Sequence, residues 1–152
     1  MIGSLIVLVI SFVLFVYWFR YTCLLILSAK PAKDYSLQVA ETNGMAFPDV
    51  RRQLGDEPAV AQMRTLQESL ERDYRILNYL LRHAKDLEVN GVSIEQHMLA
   101  VDYQIMKLFY GASRRLGIPG SRRALREMAD IVSYLAQVIG ERTVVVAATA
   151  SR

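Results

Sequence analysis

The sequence contains two histidines, His83 and His97, and histidine is the side chain best suited to acid–base or phosphoryl-transfer chemistry near neutral pH. His83 is followed by Ala84 and Lys85, and a cation close to a helical histidine is compatible with a phosphotransfer domain. The small and glycine residues that usually follow such a histidine are missing. Histidine phosphotransfer is therefore a minor alternative.

Other patterns for catalysis or metal binding are missing from the sequence. Glu95 and His97 are two residues apart, so they point to different faces of a helix and cannot form a Glu-x-x-His pair. The single cysteine, Cys23, excludes an intramolecular disulfide and a multi-cysteine metal site, and it lies where either an inert buried thiol or an acylated one would fit. There is no glycine-rich phosphate loop, nucleophile elbow or dinucleotide fingerprint. We predict a protein that is not an enzyme, with no cofactor, metal or small-molecule substrate.

Five arginines bracket the turn from Leu116 to Gly120. They are Arg114, Arg115, Arg122, Arg123 and Arg126. Arginines at the end of one helix complement its dipole, but positive charge at the start of the next helix is unfavourable. That mismatch predicts an anionic partner, either lipid headgroups or an acidic protein surface. The net charge of +3 is too small to indicate nucleic-acid binding by itself.

The same stretch resembles a helix-turn-helix at its Leu-Gly-Ile turn, residues 116–118. Leu125 falls about two residues later than the apolar position that a recognition helix needs. A membrane-tethered DNA-binding regulator is the alternative function, and nucleic acid is disfavoured as a partner.

Three amphipathic helices must position these side chains, over residues 58–142. The first is predicted from Asp56–Pro58 to about Val89, where Asn90-Gly91 supplies the stop, with Asp73 the only break in its apolar stripe. Its stripe is Met63, Leu66, Leu70, Leu77, Leu80, Ala84 and Leu87, flanked by Tyr74 and Leu81.

The other two helices are predicted on either side of the arginine-rich turn. Ser93 and Gln96 form a capping box for a helix that ends at Leu116, and Ser121 caps another that ends near Gly140. The second stripe is Ile94, Met98, Val101, Ile105, Leu108, Ala112 and Leu116, and the third is Leu125, Met128, Val132, Leu135 and Ile139. Short connections predict that the three helices pack antiparallel.

The run Ile2 to Phe19 contains no charge and is long enough to cross a bilayer. A cleaved signal peptide would have a basic start and a shorter apolar run, so we predict a retained anchor. An interfacial belt of aromatic and arginine side chains follows. It consists of Tyr17, Trp18, Arg20 and Tyr21. Apolar residues resume after Arg20, so they either form two further turns at the surface or bury Arg20 among other membrane helices.

The predicted fold is all-α, with a single transmembrane helix followed by an antiparallel three-helix bundle. The segments are an anchor with a juxtamembrane extension (1–29), a linker (30–57), the bundle (58–142) and an apolar tail (143–152). Three arrangements of the tail are open: it extends the third helix, covers the end of the bundle, or docks on another surface. Basic residues follow the anchor, so the bundle is expected in the cytoplasm and the N-terminus outside, in the inner membrane if the source is bacterial.

Apolar side chains beyond the anchor and the bundle core predict a docking role. They are Leu24, Leu25, Leu27, Val144 and Val146. The expected function is that of a non-catalytic accessory subunit or scaffold of a larger membrane complex. The expected partners are membrane lipid and either other membrane-protein subunits or further copies of the chain.

Overall fold

The computed structural model describes residues 1–56, 58–84 and 93–152, without the side chain of Ala84. These residues form six α-helices and no β-strand, which confirms the predicted all-α class. The helices are α1 (Ile2–Ser28), α2 (Ser36–Asn43), α3 (Phe47–Gly55), α4 (Val60–Ala84), α5 (Ile94–Leu116) and α6 (Ser121–Ala150). The chain divides into two compact units, Met1–Lys30 and Pro31–Arg152.

The first unit is the helix α1, which continues without interruption through Arg20. Its 27 residues correspond to a length of roughly 40 Å at 1.5 Å per residue. Two helices of the described chain, α1 and α6, are long and apolar enough to cross a membrane. The most apolar 18-residue window of α1 has a mean hydropathy of 2.5 and contains no buried residue.

The second unit is built around α6, which contacts α2, α3, α4 and α5. Its fully buried side chains include Leu125, Met128, Ile131 and Val132. A third of its most apolar window, 33%, is buried inside the protein. The apolar character of α6 therefore serves at least partly to form the core of this unit.

The predicted linker 30–57 contains two short helices, so the second unit has five described helices and not three. α2 has 8 residues and α3 has 9, and both pack against α6. Helices of this length are marginal without tertiary contacts, so their sequences alone give little signal. The buried side chains Val39, Phe47, Val50 and Leu54 attach them to the core.

The side chain of Gln137 on α6 holds the start of α2. Its amide oxygen accepts hydrogen bonds from the backbone N–H groups of Tyr35 and Ser36, at 2.7 and 3.2 Å. Its amide nitrogen donates to the carbonyl of Lys33 at 2.6 Å. One turn later on α6, Gly140 lies so close to Tyr35 that a β-carbon there would collide with Cβ of Tyr35. The absence of a side chain at Gly140 allows α2 to approach α6.

The predicted stripe of α4 lies mostly in the core. Its members Met63, Leu66, Leu70 and Leu77 are all buried. Tyr74 and Leu81, predicted only as flanking residues, are also buried, whereas Leu80 is half-buried. The helix begins at Val60, slightly later than predicted. The predicted positions of Leu87, Val89 and the Asn90-Gly91 stop lie outside the described residues.

The predicted stripe of α5 does not form the core. Ile94, Val101, Ile105 and Leu108 are exposed, and a second stripe is buried in their place. The buried stripe consists of Leu99, Tyr103, Met106 and Tyr110. It has the same alternating four- and three-residue spacing, so periodicity alone could not decide which stripe faces inwards.

The bounds of α5 agree with the prediction, although its cap is different. Ser93 is the N-cap residue but makes no side-chain capping bond, so the predicted capping box with Gln96 does not form. At the other end, Gly117 has a φ of 64°, and the N–H of Ile118 donates to the carbonyl of Ser113 at 3.0 Å. This is the Schellman arrangement, and it ends α5 at the predicted turn.

The last helix differs from the prediction at both ends. The N-cap residue of α6 is Gly120, with a φ of 130°, and not Ser121. The apolar tail continues α6 to Ala150. The helix therefore extends about ten residues beyond the end predicted near Gly140, and of the three arrangements open for the tail it adopts the helical extension. Gly140 lies inside the helix and does not end it.

Candidate interaction surfaces

The predicted interfacial belt lies on the second half of α1. The side chains of Tyr17, Trp18 and Tyr21 are exposed, and Arg20 is half-buried. The hydroxyl of Thr22 donates to the carbonyl of Trp18 at 2.9 Å, which satisfies the hydroxyl within the helix. One turn of helix thus presents aromatic rings and a guanidinium together, which suits the boundary between lipid and water.

The predicted juxtamembrane docking residues continue the same helix. Leu24 and Leu25 are exposed, Leu27 is half-buried, and the Cys23 side chain is buried. Leu24 and Leu25 leave apolar surface available beyond the aromatic belt.

The turn between α5 and α6 brings the predicted arginines to one end of both helices. Arg114 and Arg115 lie in the last turn of α5 and are exposed, with the Arg114 guanidinium 5.9 Å from the centre of the Tyr110 ring. Arg123 and Arg126 lie in the first turns of α6 and are also exposed. Four guanidinium groups near one turn can bind phosphate or carboxylate groups.

The fifth arginine, Arg122, is engaged within the chain. Its Nε and one terminal nitrogen donate to the carbonyl of Leu54, at 3.0 and 2.8 Å. The same terminal nitrogen is 3.4 Å from the carbonyl of Gly55. Arg122 therefore caps the C-terminal end of α3, where a positive charge is favourable. No local sequence pattern indicates this contact, because Arg122 and Leu54 are 68 positions apart.

The opposite end of α3 is capped by Asp73, the residue that interrupted the predicted stripe of α4. One of its carboxylate oxygens accepts hydrogen bonds from the N–H groups of Ala46 and Phe47, both at 2.7 Å. Burial raises the pKa of the Asp73 carboxyl above its usual value, although these two bonds act in the opposite direction. The buried carboxylate thus satisfies the free N–H groups of a helix from another segment.

α4 and α5 also meet through side chains. The rings of Tyr74 and Tyr103 stack with their centres 3.9 Å apart and their planes 6° from parallel. The ammonium of Lys107 donates to the carboxylate of Glu71 at 2.7 Å, and this lowers the pKa of Glu71 below its usual 4.5. These two contacts attach α5 to α4.

A cleft of about 670 Å³ lies beside the stacked tyrosines, between α4 and α5. Its lining includes Arg82, Gln96, His97 and Gln104. The side-chain oxygen of Gln96 is buried and accepts no hydrogen bond within the described chain.

The two histidines are exposed near this region. His83 Nδ1 lies 2.9 Å from the carbonyl oxygen of Tyr79. The centres of the His83 and Tyr79 rings are 3.9 Å apart. His97 lines the cleft. Among the described residues, no three His, Cys, Asp or Glu side chains are placed to hold a metal ion together.

The predicted docking residues of the tail, Val144 and Val146, lie on the exposed last turns of α6. The described chain therefore offers three kinds of surface for interaction: the apolar α1, the arginines at the α5–α6 turn, and apolar residues on α5 and the end of α6. No family model matches the chain, and neither the curated proteins nor the solved structures contain a match to it.

Proposed function

We propose that the chain is a single-pass membrane protein whose helical domain binds partners and carries out no catalysis. The observation that carries this proposal is the exposed apolar surface of α1. The helix has no charged side chain before Arg20, and none of the residues in its most apolar 18-residue window is buried. Apolar surface of that length is unfavourable in water and favourable in a bilayer. The aromatic and arginine side chains at residues 17–21 support a membrane boundary there.

We assign the membrane span to α1 alone. α6 has enough length and apolar character, but its buried face contacts four other helices of the second unit. Removing α6 from that unit would expose the core residues Leu125, Met128 and Val132. We infer that the second unit is a helical bundle outside the membrane, in the cytoplasm according to the basic residues that follow α1.

The exposed arginines support an anionic partner for this bundle. Arg114, Arg115, Arg123 and Arg126 remain available, whereas Arg122 already serves α3. Each such side chain near anionic lipid headgroups contributes about 1 kcal/mol. An acidic surface on another subunit offers the same carboxylate or phosphate chemistry.

The structure gives little support to the DNA-binding alternative. A recognition helix must place its exposed N-terminal residues in a groove, and in α6 the residues Ala124 and Leu125 are buried. α6 is the central helix of its unit, and between Ala124 and Gly140 Arg126 is the only exposed residue. Arg122, which the DNA model would place against phosphate, is used by α3.

Extraction in a mild detergent followed by native mass measurement tests the proposed function. We expect the full chain to be recovered in an assembly, either with other subunits or with further copies of itself. Replacing Arg123 and Arg126 by glutamine should weaken an assembly that uses the arginine-rich turn, and replacing Arg64 and Arg75 on the exposed side of α4 is the matched control. A monomer with no associated chain would overturn the accessory-subunit proposal.

A further inference from the structure

α5 carries two apolar stripes, and among the residues that the structure describes only one of them packs into the core, while the other is exposed apart from the half-buried Met98. The inner stripe, formed by Leu99, Tyr103, Met106 and Tyr110, is buried in the second unit. The outer stripe runs along the full length of the helix and is formed by Ile94, Met98, Val101, Ile105, Leu108, Ala112 and Leu116. A helix that is apolar on two sides is typical of one that is buried on both.

The outer stripe is well exposed and regularly spaced. Ile94 is 79% exposed, Leu108 is 74% exposed, and Leu116 is 70% exposed. From Ile94 to Ala112 its members alternate at four and three residues, which is the spacing of a coiled-coil seam. Such a narrow seam fits the side chains of one other helix that has the same spacing, and α5 itself has it.

We propose that the outer stripe of α5 pairs with the α5 of a second copy of this chain, in the antiparallel direction. In that arrangement Ile94 faces Ala112, Met98 faces Leu108 and Val101 faces Ile105. A two-fold axis forms each of these pairs twice, so every layer of the seam is apolar. In heptad notation Met98, Ile105 and Ala112 are a positions, and Ile94, Val101 and Leu108 are d positions. Each layer of the antiparallel pair joins one a position to one d position, so the pattern is self-complementary.

The charges at the two ends of α5 favour the antiparallel direction. Glu95 lies in the first turn, and Arg114 and Arg115 lie in the last. A parallel pair would bring the two Arg115 side chains together at one end of the seam, whereas Arg114 lies over the Tyr110 ring of the inner stripe. The antiparallel pair places the acidic start of each helix beside the basic end of the other, which also aligns the helix dipoles favourably.

This pairing deepens the proposed function, because it names a second copy as one partner of the bundle. It does not depend on whether α1 crosses a membrane. If the pairing fails while another subunit co-purifies, only this inference is overturned. If no other chain of any kind is recovered, both proposals are overturned.

The first test compares the association state of the full chain in detergent with that of an Ile105→Asp variant. A buried aspartate at the centre of the seam should raise the dissociation constant at least about tenfold. Val60→Asp is the matched control, since Val60 is an exposed apolar residue on α4 and its change should leave the dimer intact. Circular dichroism of each variant shows whether the helices are retained. A monomeric wild-type chain, or a dimer unaffected by Ile105→Asp, would contradict the pairing.

Cysteine cross-linking decides the direction of the pair without a destabilising charge. In a Cys23→Ser background, chains carrying Ile94→Cys are mixed with chains carrying Ala112→Cys and oxidised. Antiparallel pairing predicts a disulfide between the two variants and none for Ile94→Cys alone, whose two thiols would be about 27 Å apart along the seam. Cross-linking of Ile94→Cys with itself, or none in the mixture, would overturn the proposal.

Discussion

Asp73 and Arg122 hold opposite ends of the same helix, α3, from two different neighbouring helices. The Asp73 carboxylate on α4 accepts hydrogen bonds from the N–H groups of Ala46 and Phe47. The Arg122 guanidinium on α6 donates hydrogen bonds to the carbonyl of Leu54. Each charge complements the dipole at the end it contacts. A helix of 9 residues is thus stabilised by side chains that are distant in the sequence.

Replacing Asp73 by alanine should lower the free energy of unfolding by roughly 1–3 kcal/mol, because the buried N–H of Phe47 and the half-buried N–H of Ala46 lose their acceptor. Asp73→Asn keeps an acceptor oxygen and avoids burying a charge, so it should cost less than the alanine change. Urea denaturation of both variants measures the difference. Equal stability of the alanine variant and the wild type would show that the Asp73 cap is not important.

Arg122→Met should lower the free energy of unfolding by roughly 1–3 kcal/mol, since the carbonyl of Leu54 loses a charged donor. The neighbouring Arg123 is exposed, and Arg123→Met should change the stability by no more than about 0.5 kcal/mol. The two variants remove the same charge from adjacent positions. If they lowered stability by the same amount, Arg122 would have no special role at α3.

Gly140→Ala should destabilise the second unit by roughly 1–3 kcal/mol, because the new β-carbon collides with Tyr35 and displaces α2 from α6. Gly111→Ala is the control, since nothing lies within 4 Å of a β-carbon at that helical position. Removing a helical glycine there should instead stabilise by up to about 1 kcal/mol. Thermal unfolding of both variants should therefore give shifts of opposite sign.

Lys107→Met should cost about 0.5–1 kcal/mol at neutral pH, as expected for a partly exposed ion pair. The pKa of Glu71 is lower in the folded state than its usual value of 4.5. The Lys107–Glu71 pair therefore stabilises the folded state fully at pH values above 4.5. As the pH falls through the folded-state pKa, Glu71 is protonated and this contribution is lost. In a series of denaturation curves, the difference between variant and wild type should be largest at pH 7 and should shrink as the pH is lowered below 4.5.

The sequence predicted the helical class and α4 well, because long amphipathic stretches with regular spacing leave few alternatives. Met63, Leu66 and Leu70 were assigned to the core and are buried there. Asp73 stood out as a break in the pattern, and such breaks often mark a specific contact. Its partners Ala46 and Phe47 could not be identified, since nothing local links them to α4.

Two features could not be predicted from local pattern. The helices α2 and α3 depend on Gln137, Asp73 and Arg122, which lie 26 or more positions away from the backbone groups that they bind. The buried face of α5 could not be chosen, because both of its stripes are apolar and have the same spacing. Packing against α6 and the stacking of Tyr103 on Tyr74 of α4 select the inner stripe. The different roles of Arg122 and Arg123 likewise depend on tertiary contacts, because only Arg122 reaches the end of α3.

Alkaline extraction of membranes that contain the full chain tests whether α1 anchors the chain in a bilayer. We expect the chain to stay in the membrane pellet. An arginine introduced at Val9, near the middle of the uncharged run, should weaken insertion by about 2.5–3.5 kcal/mol and release part of the chain. Protease added to the cytoplasmic side should digest residues 31–152. Complete release of the wild-type chain into the alkaline supernatant would contradict the account.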